Sequence, residues 1–402
     1  MFTKILITGL TLHNNKGGPA LAISLAANLK PLFKNPKFHL CVQDFKDNYI
    51  YESKWSKIYK FDGVIKAINS YDLISFSAIK NLFTKRNKIK SFVNDLSNFH
   101  IIVDLNALSY MDFQYYTLKQ NIMRNLNIYL IRYYSNKLKI PLIRWTQSFG
   151  PFNNFVTKFL LKLDLNKQKF VFTRGKISSE YIRALIKKPV IFSFPDIAIT
   201  LPYSNKYYYD NLHFDKYLSI SPSSVLYKLK GSDYLNELVK IITKLSKKYN
   251  IVFVPHNLMN INPSLYNCDL KICLELSKYL NDEIVIINED LDVLELKGII
   301  AHSYIHIGSR YHSIIAAIST YVPTIAFSWH HKYLDILRLY HIDRFIYKGG
   351  DTDKFFDLFF EVEKNHLQIK TILKQNHKKN LKNIQKNLDL FTEMIPHEMQ
   401  NL

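Results

Sequence analysis

The residues with the clearest chemical content lie in Ile305-His306-Ile307-Gly308-Ser309-Arg310-Tyr311-His312. An apolar, strand-like run ends at Gly308, and Ser309 is placed to cap a helix whose first turn holds Arg310 and His312. Both side chains are then expected at the carboxyl end of a strand and the start of a helix, where an anion is favoured. Arg310 is suited to grip a phosphate or carboxylate through two parallel hydrogen bonds. His312 feels the helix dipole, which lowers its pKa, and a bound anion, which raises it; a histidine so balanced gives and takes protons near neutrality. The plainer alternative pairs Arg310 at the surface and leaves His312 capping a carbonyl.

Other candidates end strands in the same way. Val322-Pro323-Thr324-Ile325-Ala326-Phe327 reads as the next strand, and Lys332, just beyond it, is expected to face the same place as Arg310. His330 and His331 are adjacent, a spacing that points side chains apart in most geometries, so no metal pair and no metal site is expected. Near the start, a strand runs into Asn14-Asn15-Lys16-Gly17-Gly18-Pro19. Asn15, Gly17 and Gly18 there allow close backbone approach to a ligand, with free amides at a helix start. Gln147 and Ser148 end another strand and suit sugar hydroxyls, Arg174 is a second candidate anion clamp, and His256 follows Val254-Pro255. Asp196 either caps the segment after it or touches a ligand.

The elements needed to position these groups are short apolar strands alternating with amphipathic stretches, the pattern of parallel sheets covered by helices. Strands are expected near Ile5–Gly9, His39–Gln43, His100–Asp104, Pro141–Thr146, Phe170–Thr173 and Val190–Phe194. Helices are expected at Pro19–Leu32, Ser75–Leu96 and Ser178–Ile186, and Pro195–Asn211 breaks the pattern as a linker. A second series follows: strands Tyr217–Ser221, Ile251–Pro255, Glu283–Ile287, Tyr304–Ile307 and Thr324–Phe327, with helices Asp233–Lys248, Ser264–Leu280, Leu291–Ile300 and one from Arg310. The fold class is therefore α/β, two Rossmann-like doubly wound domains facing a central cleft. Their expected extents are residues 1–205 and 212–350, followed by C-terminal helices over 351–402.

Composition narrows the classes further. The 402 residues are 48% hydrophobic and 22% charged, which excludes a disordered or collagen-like chain. The three cysteines, Cys41, Cys268 and Cys273, are too scattered for a disulfide framework or zinc knuckle and read as buried thiols. No apolar run approaches the ~18 residues of a membrane span, and the amino end lacks a secretory core, so a soluble cytoplasmic protein is expected. Lys+Arg outnumber Asp+Glu by 54 to 33, a net charge of +21 that attracts phosphates, acidic sugars or anionic lipid. The lysines are dispersed along helices; nucleic acid is not an expected partner, and peripheral contact with an anionic membrane is retained.

Taken together, Asn15–Ala20, Thr146–Pro151, Thr173-Arg174 with Ser178, Pro195-Asp196, Pro255-His256 and above all Gly308-Ser309-Arg310-Tyr311-His312 with Val322-Pro323 and Lys332 resemble the polysaccharide pyruvyl transferase family. The chain differs where family members usually carry Gly-Asp after the first-loop Asn and Arg-Glu in place of Arg174-Gly175. The resemblance implies a GT-B-like fold, with residues 1–205 on the acceptor side and 212–350 on the donor side, and transfer of a pyruvyl group from phosphoenolpyruvate to two hydroxyls of a saccharide or lipid-linked saccharide, forming a ketal in cell-surface polysaccharide synthesis, with no metal or redox cofactor. Arg310 and His312 are then the catalytic pair, and Arg174, Lys332, Asn15, Gly17, Gly18, Gln147, Ser148 and His256 the substrate-binding set. Two rivals stay open at this level: a GT-B glycosyltransferase using a nucleotide-sugar, and a basic glycan-binding protein without catalysis.

Overall fold

A computed structural model describes residues 2–43, 48–67, 82–258, 263–280 and 284–396. Contacts divide the chain into two compact units: Met1–His13, Leu21–Asp196 and Asn383–Leu402 form the first, and Asn14–Ala20 with Ile197–Lys382 the second. Among the described residues no helix is long and apolar enough to cross a membrane.

The first unit holds β1 (Lys4–Thr8), β2 (Lys37–Gln43), β3 (Gly63–Ala67), β4 (Ile101–Asp104), β5 (Leu108–Ser109), β6 (Leu142–Arg144), β7 (Ser148–Phe149), β8 (Phe170–Thr173) and β9 (Val190–Ser193). Five of these make a parallel sheet in the order β3-β2-β1-β4-β6, while β5-β7 and β8-β9 are separate parallel pairs. Strand β4 is buried along its whole length, as a strand with both faces covered must be. Helices Gly17–Leu29, Leu82–Leu96 and Leu118–Lys137 supply cover, the last opened by a Thr117/Gln120 capping box.

The second unit holds β10 (Tyr217–Ser221), β11 (Asn250–Phe253), β12 (Ile284–Ile286), β13 (Ile305–Gly308), β14 (Thr324–Phe327) and β15 (Ile346–Tyr347). All six are parallel, in the order β12-β11-β10-β13-β14-β15. This is the doubly wound order, reversing between β10 and β13, so the loops leaving the carboxyl ends of those two strands part and leave room for a ligand. In the first unit the reversal falls between β1 and β4. There Gly9, at φ 88°, has no room for a side chain: a Cβ would lie 2.6 Å from the Asn106 amide nitrogen.

Several expected elements differ. The helix expected at Ser75–Leu96 is described from Leu82, its earlier residues lying outside the described ones, as does Glu283 of the expected Glu283–Ile287 strand. The Pro195–Asn211 segment holds the division between the units, at Asp196/Ile197, but it is packed instead of irregular. Ile197, Ala198, Ile199 and Leu201 are buried, Ser204 donates its amide to Leu294, and the Ser204 carbonyl sits against Gly298, where a side chain would displace it. Ser309 does not cap the Tyr311–Ser319 helix. Arg310 occupies the cap position in extended conformation, and the Ser309 hydroxyl accepts a bond from Tyr234 instead. The terminal helix runs from His366 to Thr392, and Phe391 near its end lies with its ring centre 5.4 Å from that of Trp145, both within the first unit.

Below β4 and β6 lies a buried ionic cluster. Asp164 accepts from Arg132 Nε at 2.7 Å, Arg144 Nε at 2.6 Å and the Tyr110 hydroxyl at 2.6 Å, and Arg144 also pairs with Asp104. Burial by itself raises the Asp164 carboxyl, but Arg144 and Arg132 outweigh it and hold the group below the usual carboxylate range. Asp164→Asn would leave two buried guanidiniums short of countercharge, and a loss of about 3–5 kcal/mol of unfolding free energy is expected by denaturant titration. A variant within 1 kcal/mol of wild type, roughly the worth of an exposed pair, would contradict that role.

Candidate functional site

The loops at the β10/β13 reversal bring together Arg310, Ser224, Asp269 and His256. Strand β13 ends at Gly308, the Ser309 amide bonds the Ser221 carbonyl at 2.9 Å, and Arg310 follows. Its Nε donates to Asp269 Oδ2 at 2.7 Å, and its Nη2 bonds both Asp269 Oδ1 and, at 2.8 Å, the Ser224 hydroxyl. The parallel two-bond grip expected for a ligand is therefore spent on Asp269, because a guanidinium with 13% of its side chain exposed needs a carboxylate counterion. Burial works against the arginine's charge, and the Asp269 carboxylate outweighs it. Nη1 takes no hydrogen-bond partner among the described residues, so its two N–H groups form the edge left for an anion.

Asp269, fully buried at the start of the Asp269–Ser277 helix, also accepts the Ser224 amide at 2.8 Å and the His256 amide at 3.3 Å. One carboxylate thus fixes the loop after β10, the loop after β11 and the arginine after β13. Sequence reasoning passed over Asp269, and a signal was present: an acidic residue opening a helix, where the free amides favour it.

His312 lies in the first turn of the Tyr311–Ser319 helix. Its ring rests on Gly17: a Cβ there would lie 2.6 Å from His312 Cε1 and closer still to Nδ1. Glycine is required at 17 so that the imidazole can occupy this place. The loop carrying Gly17 is tied to the same unit by the Lys16 amide on the His256 carbonyl at 2.9 Å and by the Leu258 amide on the Asn14 carbonyl at 2.9 Å. Asn15 and Gly18 shape that turn: Asn15 accepts the Gly17 amide through its side chain at 3.0 Å and the Gly18 amide through its carbonyl at 3.1 Å. Lys16 is buried, its Nζ 2.6 Å from both Asp290 Oδ1 and the Leu291 carbonyl. Desolvation lowers its pKa and Asp290 resists. Lys16 therefore anchors the loop.

His312, His256, Lys16 and Lys297 line one small pocket, of about 10 Å³, with Ala198, Leu201 and other apolar side chains. His256 Nδ1 lies 3.0 Å from the Val254 carbonyl, which can only accept, so Nδ1 carries the proton and Nε2 the lone pair. Burial pushes its pKa down to about 4, keeping it neutral at physiological pH.

The remaining candidates are placed differently. Lys332 is mostly buried in an aromatic box, its Nζ 4.8 Å from the Trp329 ring centre and 5.3 Å from that of Tyr311. Arg174 is buried in the first unit, paired with Asp196 and donating to Ser148 at 3.2 Å and to the Ala107 carbonyl at 2.5 Å. Those bonds engage its guanidinium as an internal brace, which is also why Ser148 and Asp196 turn inward. Gln147 is buried too, donating to the Asp104 carbonyl at 2.9 Å. No cluster of His, Cys, Asp and Glu fit to hold a metal ion occurs among the described residues.

The family model described as polysaccharide pyruvyl transferase matches residues 15–331. Among curated proteins no sequence match is found. The fold is similar to that of UDP-GlcNAc 2-epimerase from Neisseria meningitidis (TM-score 0.58, 10% identity, 96% of this chain and 100% of that one). It is similar also to sucrose-phosphate synthase from Thermosynechococcus elongatus (0.56, 10%, 97% and 98%) and to the spinosyn rhamnosyltransferase SpnG (0.50, 9%, 94% and 96%). At such identities the likeness establishes the fold, an α/β GT-B-like architecture of two Rossmann-like units.

Lys297 was not singled out by its sequence context. Its Nζ is buried with one carbonyl partner, Leu201, at 2.6 Å, and desolvation lowers its pKa to about 7. The folded state thus releases a proton near pH 7 that the unfolded chain keeps to about 10.5. Between those values the unfolded state binds more protons, so this site adds stability as pH rises, and its penalty is greatest below pH 7. The stability advantage of Lys297→Met over wild type is expected to shrink from pH 7 upward, by up to about 1.4 kcal/mol per pH unit. A difference that stays flat from neutral to alkaline pH would place an ordinary, charged lysine there.

Proposed function

The chain belongs to the polysaccharide pyruvyl transferase family and is a transferase, and from that premise we propose that it moves the pyruvyl group of phosphoenolpyruvate onto two hydroxyls of a saccharide in cell-surface polysaccharide synthesis. The family implies the saccharide acceptor. Support for the donor comes from the second unit, where Arg310 stands at the strand-order reversal with its Nη1 edge open and His312 follows two residues on. That juxtaposition of a fixed cation and an imidazole carries the reading.

In the proposed reaction Arg310 Nη1 holds an anionic group of phosphoenolpyruvate, with Lys332 adding to the local positive field. His312 delivers a proton to the terminal methylene, leaving an oxocarbenium-like carbon. One acceptor hydroxyl attacks that carbon, the phosphate departs, and the second hydroxyl closes the ketal. Two hydroxyl protons are lost; one balances the new methyl group and the other leaves with phosphate. His256, neutral and with its lone pair on Nε2, is suited to take a hydroxyl proton. Gly17 serves by leaving room for His312, with Asn15 and Gly18 shaping its turn.

Phosphate release from phosphoenolpyruvate in the presence of candidate glycans tests this, with the ketal identified by mass. His312→Gln is expected to lower kcat by about 10²–10⁴-fold, and Arg310→Lys by at least about 10²-fold, with folding kept. Turnover of a nucleotide-sugar with none of phosphoenolpyruvate would overturn the reading in favour of glycosyl transfer. Anionic glycan binding that is steeply salt-dependent and indifferent to His312 would replace it with a non-catalytic role.

A further inference from the structure

The helix Phe155–Leu165 in the first unit carries an apolar face that nothing described covers. Phe155 is 79% exposed, Phe159 49%, Leu163 39% and Val156 36%. At about 100° per residue these four fall within one arc of roughly 100°. The rings of Phe155 and Phe159 stack, with centres 6.2 Å apart. The opposite arc, Thr157, Leu160, Leu161, Asp164 and Leu165, is buried against the unit. The helix is held in this rotation by its Asn154 cap on the Thr157 amide and by Asp164, locked between Arg132 and Arg144. The exposed aromatics are therefore fixed outward.

Charge indicates what covers them. Lys158 and Lys162 border the apolar arc on one side, and exposed Lys167 follows just past the helix end on the other. The helix's one acidic residue, Asp164, is buried and paired, so no negative charge of this helix reaches that surface. A second copy of the chain would set these lysines and a net charge of +21 against their own kind. An anionic bilayer offers an apolar layer for Phe155, Phe159 and Leu163 and phosphates for the flanking lysines, the arrangement of an interfacial amphipathic helix. We propose that the Phe155–Leu165 helix docks this protein on membranes rich in anionic phospholipid. The inference is independent of the reaction proposed above, since its test needs no substrate.

The test is flotation of the full chain with vesicles of phosphatidylcholine containing about one third phosphatidylglycerol, against phosphatidylcholine alone. Wild type is expected to float with the anionic vesicles only. The polar replacements F155S, F159S and L163S together are expected to cut that binding at least about tenfold, with an unchanged thermal melt. Lys158→Glu with Lys162→Glu and Lys167→Glu is expected to cut it by a similar factor, and Phe159→Trp fluorescence to be quenched by brominated lipid. Failure of wild type to float, binding indifferent to both variant sets, or an unquenched tryptophan would overturn the proposal. Self-association in sedimentation that the serine variant abolishes, without flotation, would assign the face to a second copy instead.

Discussion

A guanidinium taken out of water at the end of a parallel strand must be neutralised before it can serve a ligand, and Asp269 does this for Arg310. The carboxylate uses the Nε/Nη2 side of the fork and simultaneously receives the Ser224 and His256 amides. It therefore fixes three loops at the strand-order reversal and leaves one aimed donor edge. The arrangement costs part of Arg310's charge and returns orientation, which counts for more when a small anionic donor must be held against a proton-transferring group.

The two units treat buried cations differently. In the first, Arg174 is engaged by Asp196, Ser148 and Ala107, and Arg132 and Arg144 share Asp164 while Arg144 also pairs with Asp104. These arginines brace strand ends and helices. In the second, Lys16 anchors a loop, Lys297 has one carbonyl partner, and Arg310 keeps an open edge. Lys16 and Lys297 also border the small pocket that His312 and His256 line.

Much of this was legible in the residues. Strands Phe170–Thr173, Tyr217–Ser221 and Thr324–Phe327 are found with the bounds expected for them, because short β-branched and aromatic runs between turn residues leave little ambiguity. The placement of Arg310 and His312 at the start of a helix after a strand follows from a strand, a glycine and a helix in succession. What local pattern cannot supply is the partner across the fold. Asp269 lies 41 residues from Arg310, and the pairing of Arg174 with Asp196, the latter open to either a cap or a ligand contact in sequence, joins the ends of two different strands. The Gly63–Ala67 strand was passed over because its only long apolar side chains are Val64 and Ile65, next to Lys66. Ser309 had the chemistry of a cap, yet Tyr234 claims its hydroxyl.

The dependence of donor binding on the Asp269 brace is most directly measured by calorimetric titration of phosphoenolpyruvate into wild type and Asp269→Asn, with folding verified in both. Loss of the brace should weaken binding by at least about tenfold, or about 1.4 kcal/mol, although the variant removes a negative charge from the neighbourhood of an anion. Equal or tighter binding to Asp269→Asn would mean that the orientation of Arg310 is not what holds the donor.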